Sequence, residues 1–546
     1  MPRGIGLPPS SWTLAILLLV YSLTGLVGHD PWKSDDAVTI GVVHDLLTRG
    51  DWLTPGLAGR PYPDAPVYYW VAAGFAKLAS AVLPVHQSAR LASGLFTLLA
   101  LAFILFAARE LHGPDQSSAA PLLLAGSVGF IYHAHEAQPM LATLTAYTAA
   151  YWALTQFNRR PVLGALSFGS ALGFGCLANG LTPVLPLIPV AGFVAWRSER
   201  RLYSTLLMLA SLLLAAAIVA SWLVPVYATS PTFFAAIVAQ ESEQIAGTAQ
   251  PLLSLLRFLF MLPWYAWPAL PLACWTLWAK RRQLGSQALS MPLAALLITL
   301  LLASLWLGPR SVPALLLLPP LVLLAVPAVP TLRRGAANAF DWFGMITFSF
   351  FALLVWVGWS AMVFDWPPRL ARQVVRLAPG FVGHFSLLPV LVTVAATLAW
   401  SWLIATSPRS PMRGVLHWMA GLTLLWLLVT SLWMPWIDYG KSYRQVSLSL
   451  AAALPEKRRC IASVSVGDPV LASLDYFSGI RTIPSTMTAS ASCDLLLIHG
   501  APRYSGVAAN IGWRKIWEGG RPAERAEGDR LHLFQRDAPQ TGQPGR

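Results

Sequence analysis

Apolar and polar positions fall into long blocks along the chain. The first apolar block, residues 11–27, follows a short start that holds Arg3. It looks like a signal-peptide core, but no small-residue cleavage site follows, so it reads as an uncleaved first helix. Further blocks lie near 91–109, 119–135, 139–157, 162–178, 182–196, 204–227, 252–278, 289–307, 312–330, 342–364, 386–405 and 415–434. A helix needs about 20 residues to cross a bilayer. The pattern predicts about thirteen spans, with the pair inside 162–196 short for two crossings. The expected fold class is a polytopic α-helical membrane protein.

Basic residues sit in short breaks between pairs of blocks. Arg159 and Arg160 follow one block, and Arg197, Arg200 and Arg201 another. Lys280, Arg281 and Arg282, then Arg333 and Arg334, then Arg409 and Arg413, repeat the pattern. Short basic loops stay in the cytoplasm, so these breaks mark the inner side. An odd number of spans then puts the N-terminus in the cytoplasm and the C-terminus outside. The expected location is a bacterial inner (plasma) membrane, with the C-terminal domain in the periplasm.

Two polar segments on the outer side carry structure of their own. In the first outer loop, 28–90, Ser34 is a candidate cap for a helix whose first turn holds Asp35 and Asp36. Val42, Val43, Leu46 and Leu47 recur at helical spacing, and Gly50 is a stop. Residues 66–83 are aromatic-rich and end before Pro84. Two helices lying in the membrane interface are expected there. The tail from 438 reads as strand (459–466), helix (468–479), strand (494–499) and a final hairpin ending at 530–535. The expected organisation is a membrane module over 1–437, a small α/β domain over 438–536 and a disordered tail over 537–546. Cys460 and Cys493 begin two of the strands and can pair in an oxidising compartment; two buried free thiols are the other reading.

Composition agrees with the block pattern. Of 546 residues, 56% are hydrophobic and 11% charged, against about 25% charged in a soluble domain. That excludes a soluble enzyme, a disordered chain and a disulfide miniprotein. The net charge of +14 would suit nucleic acid, but its placement in inner loops reports topology instead, so no nucleic-acid partner is expected.

Candidate chemistry is concentrated outside the membrane. Asp30, Asp35, Asp36, Asp45, Asp51 and Asp64 crowd the first loop. A carboxylate there can act as a general base on an acceptor or hold a divalent metal; helix starts and turns explain the same residues without function. His133, His135 and Glu136 are zinc-ligand types, although His-x-His turns its two rings to different helix faces. Arg310 lies at an outer helix end, where it can bind phosphate or act as a snorkelling anchor.

The first loop also carries a longer pattern. Asp35-Asp36, then Gly50-Asp51-Trp52 and Pro55, then Gly59-Arg60-Pro61-Tyr62, then Asp64-Ala65-Pro66-Val67-Tyr68-Tyr69-Trp70, resembles the first periplasmic loop of the aminoarabinose (lipid A) transferases. These are GT-C membrane glycosyltransferases, alongside the protein O-mannosyltransferases. Leu262-Pro263-Trp264-Tyr265 with Trp267-Pro268, and Ser304 to Arg310 followed by Leu318-Pro319-Pro320-Leu321, resemble later segments of that family. The resemblance is specific in the first loop and loose elsewhere.

It implies a GT-C fold of about thirteen transmembrane helices and an inverting transfer from a polyprenyl-phosphate sugar donor at the outer face. The acceptor would be a lipid such as lipid A, another glycolipid or a protein. By the same resemblance Asp35 is the candidate base, supported by Asp36, while Arg310 and His133 are candidates for the donor phosphate. Asp64, with His135 or Glu136, would hold a divalent metal. The chain departs from the family pattern at Val38 and Thr39, where Arg-Tyr is usual, at Ala65, where Lys is usual, and at His133 and Gln138, where Arg and Asp are usual. Two rivals remain: a transporter or flippase for lipid-linked substrates, and a catalytically degenerate relative that binds or assembles.

Overall fold

The computed structural model describes residues 11–485, 493–500, 513–524 and 530–536. Seven described helices are long and apolar enough to cross a membrane, from Val85–His112 to Arg413–Ala453; an eighth results if Pro231–Ala246 and Pro251–Tyr265, bent by 83°, act as one. On Leu387–Thr406 the side chains of Leu387, Leu388, Leu391, Leu398 and Trp402 are exposed, an apolar surface of the kind that lipid covers.

The block pattern locates the helices but does not reproduce thirteen separate crossings. Block 119–135 breaks at Gly126 and Ser127 into Ala119–Ala125 and Val128–Ala134. Block 252–278 breaks around Trp267 and Pro268 into Pro251–Tyr265 and Ala269–Ala279. Block 312–330 becomes Ser311–Ala314, Leu318–Ala325 and Ala328–Thr331, with Pro313, Pro319, Pro320 and Pro327 among its residues. Proline removes a backbone donor and clashes with the preceding turn. Such breaks survive at membrane depth because protein surrounds them: Leu315 to Val326 are buried throughout. Block 182–196 is helical only over Leu187–Trp196.

In the first outer loop both expected helices form, at Ser34–Arg49 and Val67–Leu78. Gly50 ends the first with φ of 72°, a left-handed conformation that glycine adopts without strain. Lys33, not Ser34, occupies the N-cap position, and no side chain caps the end. Between the helices, β1 (Gly56–Leu57) and β2 (Arg60–Pro61) pair antiparallel. The first of these helices is enclosed by protein. Ile40, Val42, Val43 and Leu46 are wholly buried, and so are Asp36 and Asp45. A helix floating on lipid keeps one stripe free; Ser34–Arg49 is instead wedged between the spans and the C-terminal domain.

That domain contains a five-stranded sheet in the order β4-β3-β5-β7-β6, formed by β3 (Ile461–Val464), β4 (Ile483–Pro484), β5 (Leu495–Gly500), β6 (Trp513–Gly519) and β7 (Arg530–Arg536). β3 runs parallel to β4 and β5, while β5, β7 and β6 are antiparallel, which gives the expected final hairpin. The helix Asp468–Ser478 ends at Gly479, also left-handed. Cys460 and Cys493 form a disulfide. The expected boundary at 437/438 falls inside the helix Met434–Lys441, so the last span runs on into the domain. The tail 537–546 lies outside the described residues.

Close packing and buried charge fasten the domain to the first loop. At Gly41 an added Cβ would sit 2.7 Å from the Ala472 side chain and 2.8 Å from Leu57, so glycine permits the helix contact. The carboxylate of Asp30 accepts hydrogen bonds from Arg444 Nε (2.8 Å) and the Ser442 hydroxyl (2.7 Å). Arg481 donates to Asp475 (2.9 Å) within the domain and reaches Asp45 of the loop at 3.9 Å.

Candidate active site

A cavity of about 1080 Å³ opens between the loop 28–90 and the helices that follow it. Asp35, Tyr62, Asp64 and Tyr69 come from the loop, Gln138 from the turn before Met140–Gln156, and Glu241 from Pro231–Ala246. Leu172, Leu212, Val219 and Ile237 continue the wall as an apolar surface. Arg310 is the one cation among the lining residues.

Asp35 and Asp36 are neighbours in the first turn of one helix, and successive helical residues point about 100° apart. Asp35 is exposed to the cavity, where the Gln138 side-chain amide donates to it at 3.0 Å. Asp36 turns the other way, into the core. Arg90 donates to both of its oxygens (2.9 and 2.7 Å), and the Ala137 N–H adds a third bond at 2.7 Å. Burial opposes ionisation of Asp36, but the Arg90 charge and hydrogen bonds outweigh it and hold the carboxyl below its usual pKa. Asp36 is thus a positioning group that ties the base of the helix to the turn carrying Gln138.

Asp64 accepts the Tyr69 hydroxyl (2.6 Å) and the Ala65 N–H (2.8 Å). Burial pushes its pKa up, and the negative Glu241 adds to the rise, against those hydrogen bonds. Burial likewise raises Tyr62. Glu241 accepts the N–H of Leu181 (2.9 Å), the N–H of Thr182 (3.1 Å) and the Thr182 hydroxyl (2.7 Å). It thereby pins Pro231–Ala246 to the turn at 180–182 on the cavity wall. Arg310 is exposed, and among the described residues its guanidinium hydrogen-bonds to the Leu307 carbonyl alone, at 3.4 Å.

Three expected site residues lie elsewhere. His133 is buried with its Nδ1 2.5 Å from Glu136, which also pairs with Lys33 at 3.2 Å. His135 presents one ring nitrogen to the Tyr21 carbonyl (2.6 Å) and the other to that of Ile131 (3.0 Å). None of His133, His135 and Glu136 lines the cavity. His133 is therefore not placed beside Arg310 for a phosphate. The metal set Asp64, His135 and Glu136 is not assembled, and among the described residues no three His, Cys, Asp or Glu side chains gather as metal ligands.

Sequence reasoning missed Arg90 and Glu241. Arg90 had a signal: a lone basic residue at the outer end of an apolar block runs against the positive-inside pattern. Glu241 had none beyond its place in an expected outer loop, because its partners lie about 60 residues away.

Residues 62–224 match the family model of dolichyl-phosphate-mannose-protein mannosyltransferases. The chain is 28% identical over 445 residues to an undecaprenyl phosphate-alpha-4-amino-4-deoxy-L-arabinose arabinosyl transferase of Pseudomonas aeruginosa, a match covering 77% of this chain and 75% of that protein. It is also 28% identical over 237 residues to a second such transferase, from Pseudomonas fluorescens, where the match covers 41% of this chain and only 40% of the relative's length. The crystal structure of ArnT from Cupriavidus metallidurans bound to undecaprenyl phosphate superposes with a TM-score of 0.64 at 15% identity, over 98% of this chain and all of that one. In sequence the chain is similar to aminoarabinose transferases; in fold it is a GT-C-type membrane protein with a small C-terminal sheet domain.

Proposed function

We propose that the protein transfers a sugar from a polyprenyl-phosphate donor to a lipid acceptor at the outer face of a bacterial inner membrane. In this reading the N-terminus is cytoplasmic and the C-terminal domain periplasmic. The observation that carries it is the single cavity in which Asp35 and Arg310 share walls with a long apolar surface. A polyprenyl phosphate needs a greasy slot ending in a cation, and acyl-chain acceptors need access from the membrane. The names of the similar transferases favour undecaprenyl phosphate as the carrier and an amino-pentose as the sugar.

Asp35 takes the proton of the acceptor nucleophile as it attacks the anomeric carbon. The bond from that carbon to the phosphate oxygen breaks, and polyprenyl phosphate leaves with the electron pair. Arg310 stabilises the charge that develops on it. Gln138 orients Asp35, and Asp36 with Arg90 fixes the turn that carries Gln138. No step runs through a metal, since its expected ligands point apart.

One observation favours binding without transfer: Gln138 stands beside Asp35 where relatives are expected to place a second carboxylate. The deciding experiment supplies the purified protein in nanodiscs with a panel of polyprenyl-phosphate sugars and a lipid A-type acceptor, and follows released polyprenyl phosphate by mass spectrometry. Release that is lost in Asp35→Asn supports transfer. Donor binding without release across the panel overturns it in favour of the binding reading, and an EDTA arm tests the metal separately.

A further inference from the structure

Between the long helices Arg334–Val363 and Leu387–Thr406 the chain forms a short helix, Pro368–Leu377. Arg369, Arg372 and Arg376 recur on one of its faces, and Leu370, Val374 and Leu377 on another. All three arginines are exposed, and none has a hydrogen bond or ion pair among the described residues. Asp365 is the one acidic residue between 342 and 437, and it too is unpaired.

The helix lies at the same end of the molecule as the C-terminal domain. Trp436 Nε1 donates to the Val374 carbonyl (3.4 Å), the Tyr439 hydroxyl donates to that of Pro379 (3.0 Å), and Ala523 of the domain donates to the carbonyl of Gly440 (3.2 Å). Phe364, Trp366, Val382 and Phe385 flank it in sequence and are exposed. Exposed aromatic and aliphatic side chains next to unpaired arginines match the boundary of a bilayer, where rings enter the acyl layer and guanidinium groups meet headgroups.

We propose that this surface docks anionic phospholipids of the leaflet on the domain's side of the membrane. Charge complementarity selects the occupant. Three guanidinium groups without an internal acid are a phosphate-binding set, and the apolar rim seats the lipid tails.

The full chain in phosphatidylcholine nanodiscs, doped with photoactivatable phosphatidylglycerol or with photoactivatable phosphatidylcholine, tests this. Labelled peptides are mapped by mass spectrometry. Labelling at 364–385 should be stronger with phosphatidylglycerol and fall about fivefold for each Arg→Gln change. The triple Arg→Lys variant, which keeps the charge, should retain most of it. Equal labelling by the two lipids would overturn the assignment. So would undiminished phosphatidylglycerol labelling in R369Q/R372Q/R376Q, or crosslinks joining two copies of the chain through this helix.

Discussion

Asp36 and Arg90, 54 residues apart in sequence, meet as a buried two-bond ion pair, with Arg90 Nε and Nη2 at 2.9 and 2.7 Å from the two carboxylate oxygens. The pair joins the first loop to the start of a membrane span. Arg90 also donates to the His29 carbonyl at 2.8 Å, so one guanidinium sets three segments. Removing one partner strands the other charge in the core. Arg90→Met is expected to cost about 3–5 kcal/mol and Asp36→Asn somewhat less, while the double variant recovers part of the loss. Melting temperatures of the four proteins in one detergent measure the coupling.

Asp35 predicts the opposite combination. It is exposed and holds one hydrogen bond, so Asp35→Asn should leave the melting temperature unchanged. If it is the base, transfer falls by about 10²–10⁴-fold. Donor release measured beside a melting curve separates this from misfolding, and an active Asp35→Asn protein would remove Asp35 from the mechanism.

Arg310 has no acidic partner among the described residues, and its one hydrogen bond is a long one to the Leu307 carbonyl. Arg310→Ala should weaken donor binding by about 1.5–3 kcal/mol, the range for a charge-assisted hydrogen bond, with Arg310→Lys between. Titration with undecaprenyl phosphate measures it directly.

Asp64 predicts a pH dependence. Its pKa is raised above the ordinary 3.8 by burial and by Glu241, so the folded state binds its proton more tightly than the unfolded chain. Stability from this group is present at low pH and lost as pH rises from the ordinary value through the raised one. Asp64→Asn, which can still accept the Tyr69 hydroxyl, should raise the melting temperature more near pH 8 than near about pH 4. A pH-independent difference would contradict this.

Gly41 tests the junction between loop and domain. Gly41→Ala places a methyl 2.7 Å from Ala472 and should destabilise by about 1–3 kcal/mol. Ala472→Gly in the same chain should restore part of it. Limited proteolysis of the C-terminal domain reads the junction alone.

The sequence by itself determined the membrane class, the helical blocks and the order of elements in the tail domain, because these follow from local periodicity and composition; it left Cys460 and Cys493 as a pair or as two free thiols, and the fold joined them. It also put forward Asp35 and Asp64, through one motif-rich loop, and Arg310, through a later segment, as site candidates, and the three line one cavity. Tertiary structure alone decided which neighbours do what. Two adjacent aspartates differ by a turn of about 100° around a helix, enough to send Asp35 to the cavity and Asp36 to Arg90. His133, His135 and Glu136 are ligand types close in sequence, yet His133 Nδ1 pairs with Glu136, Glu136 also with Lys33, and both ring nitrogens of His135 with backbone carbonyls. The apolar blocks could not show their own breaks either, since a proline-broken helix is tolerated only where surrounding protein, rather than lipid, covers its free backbone groups.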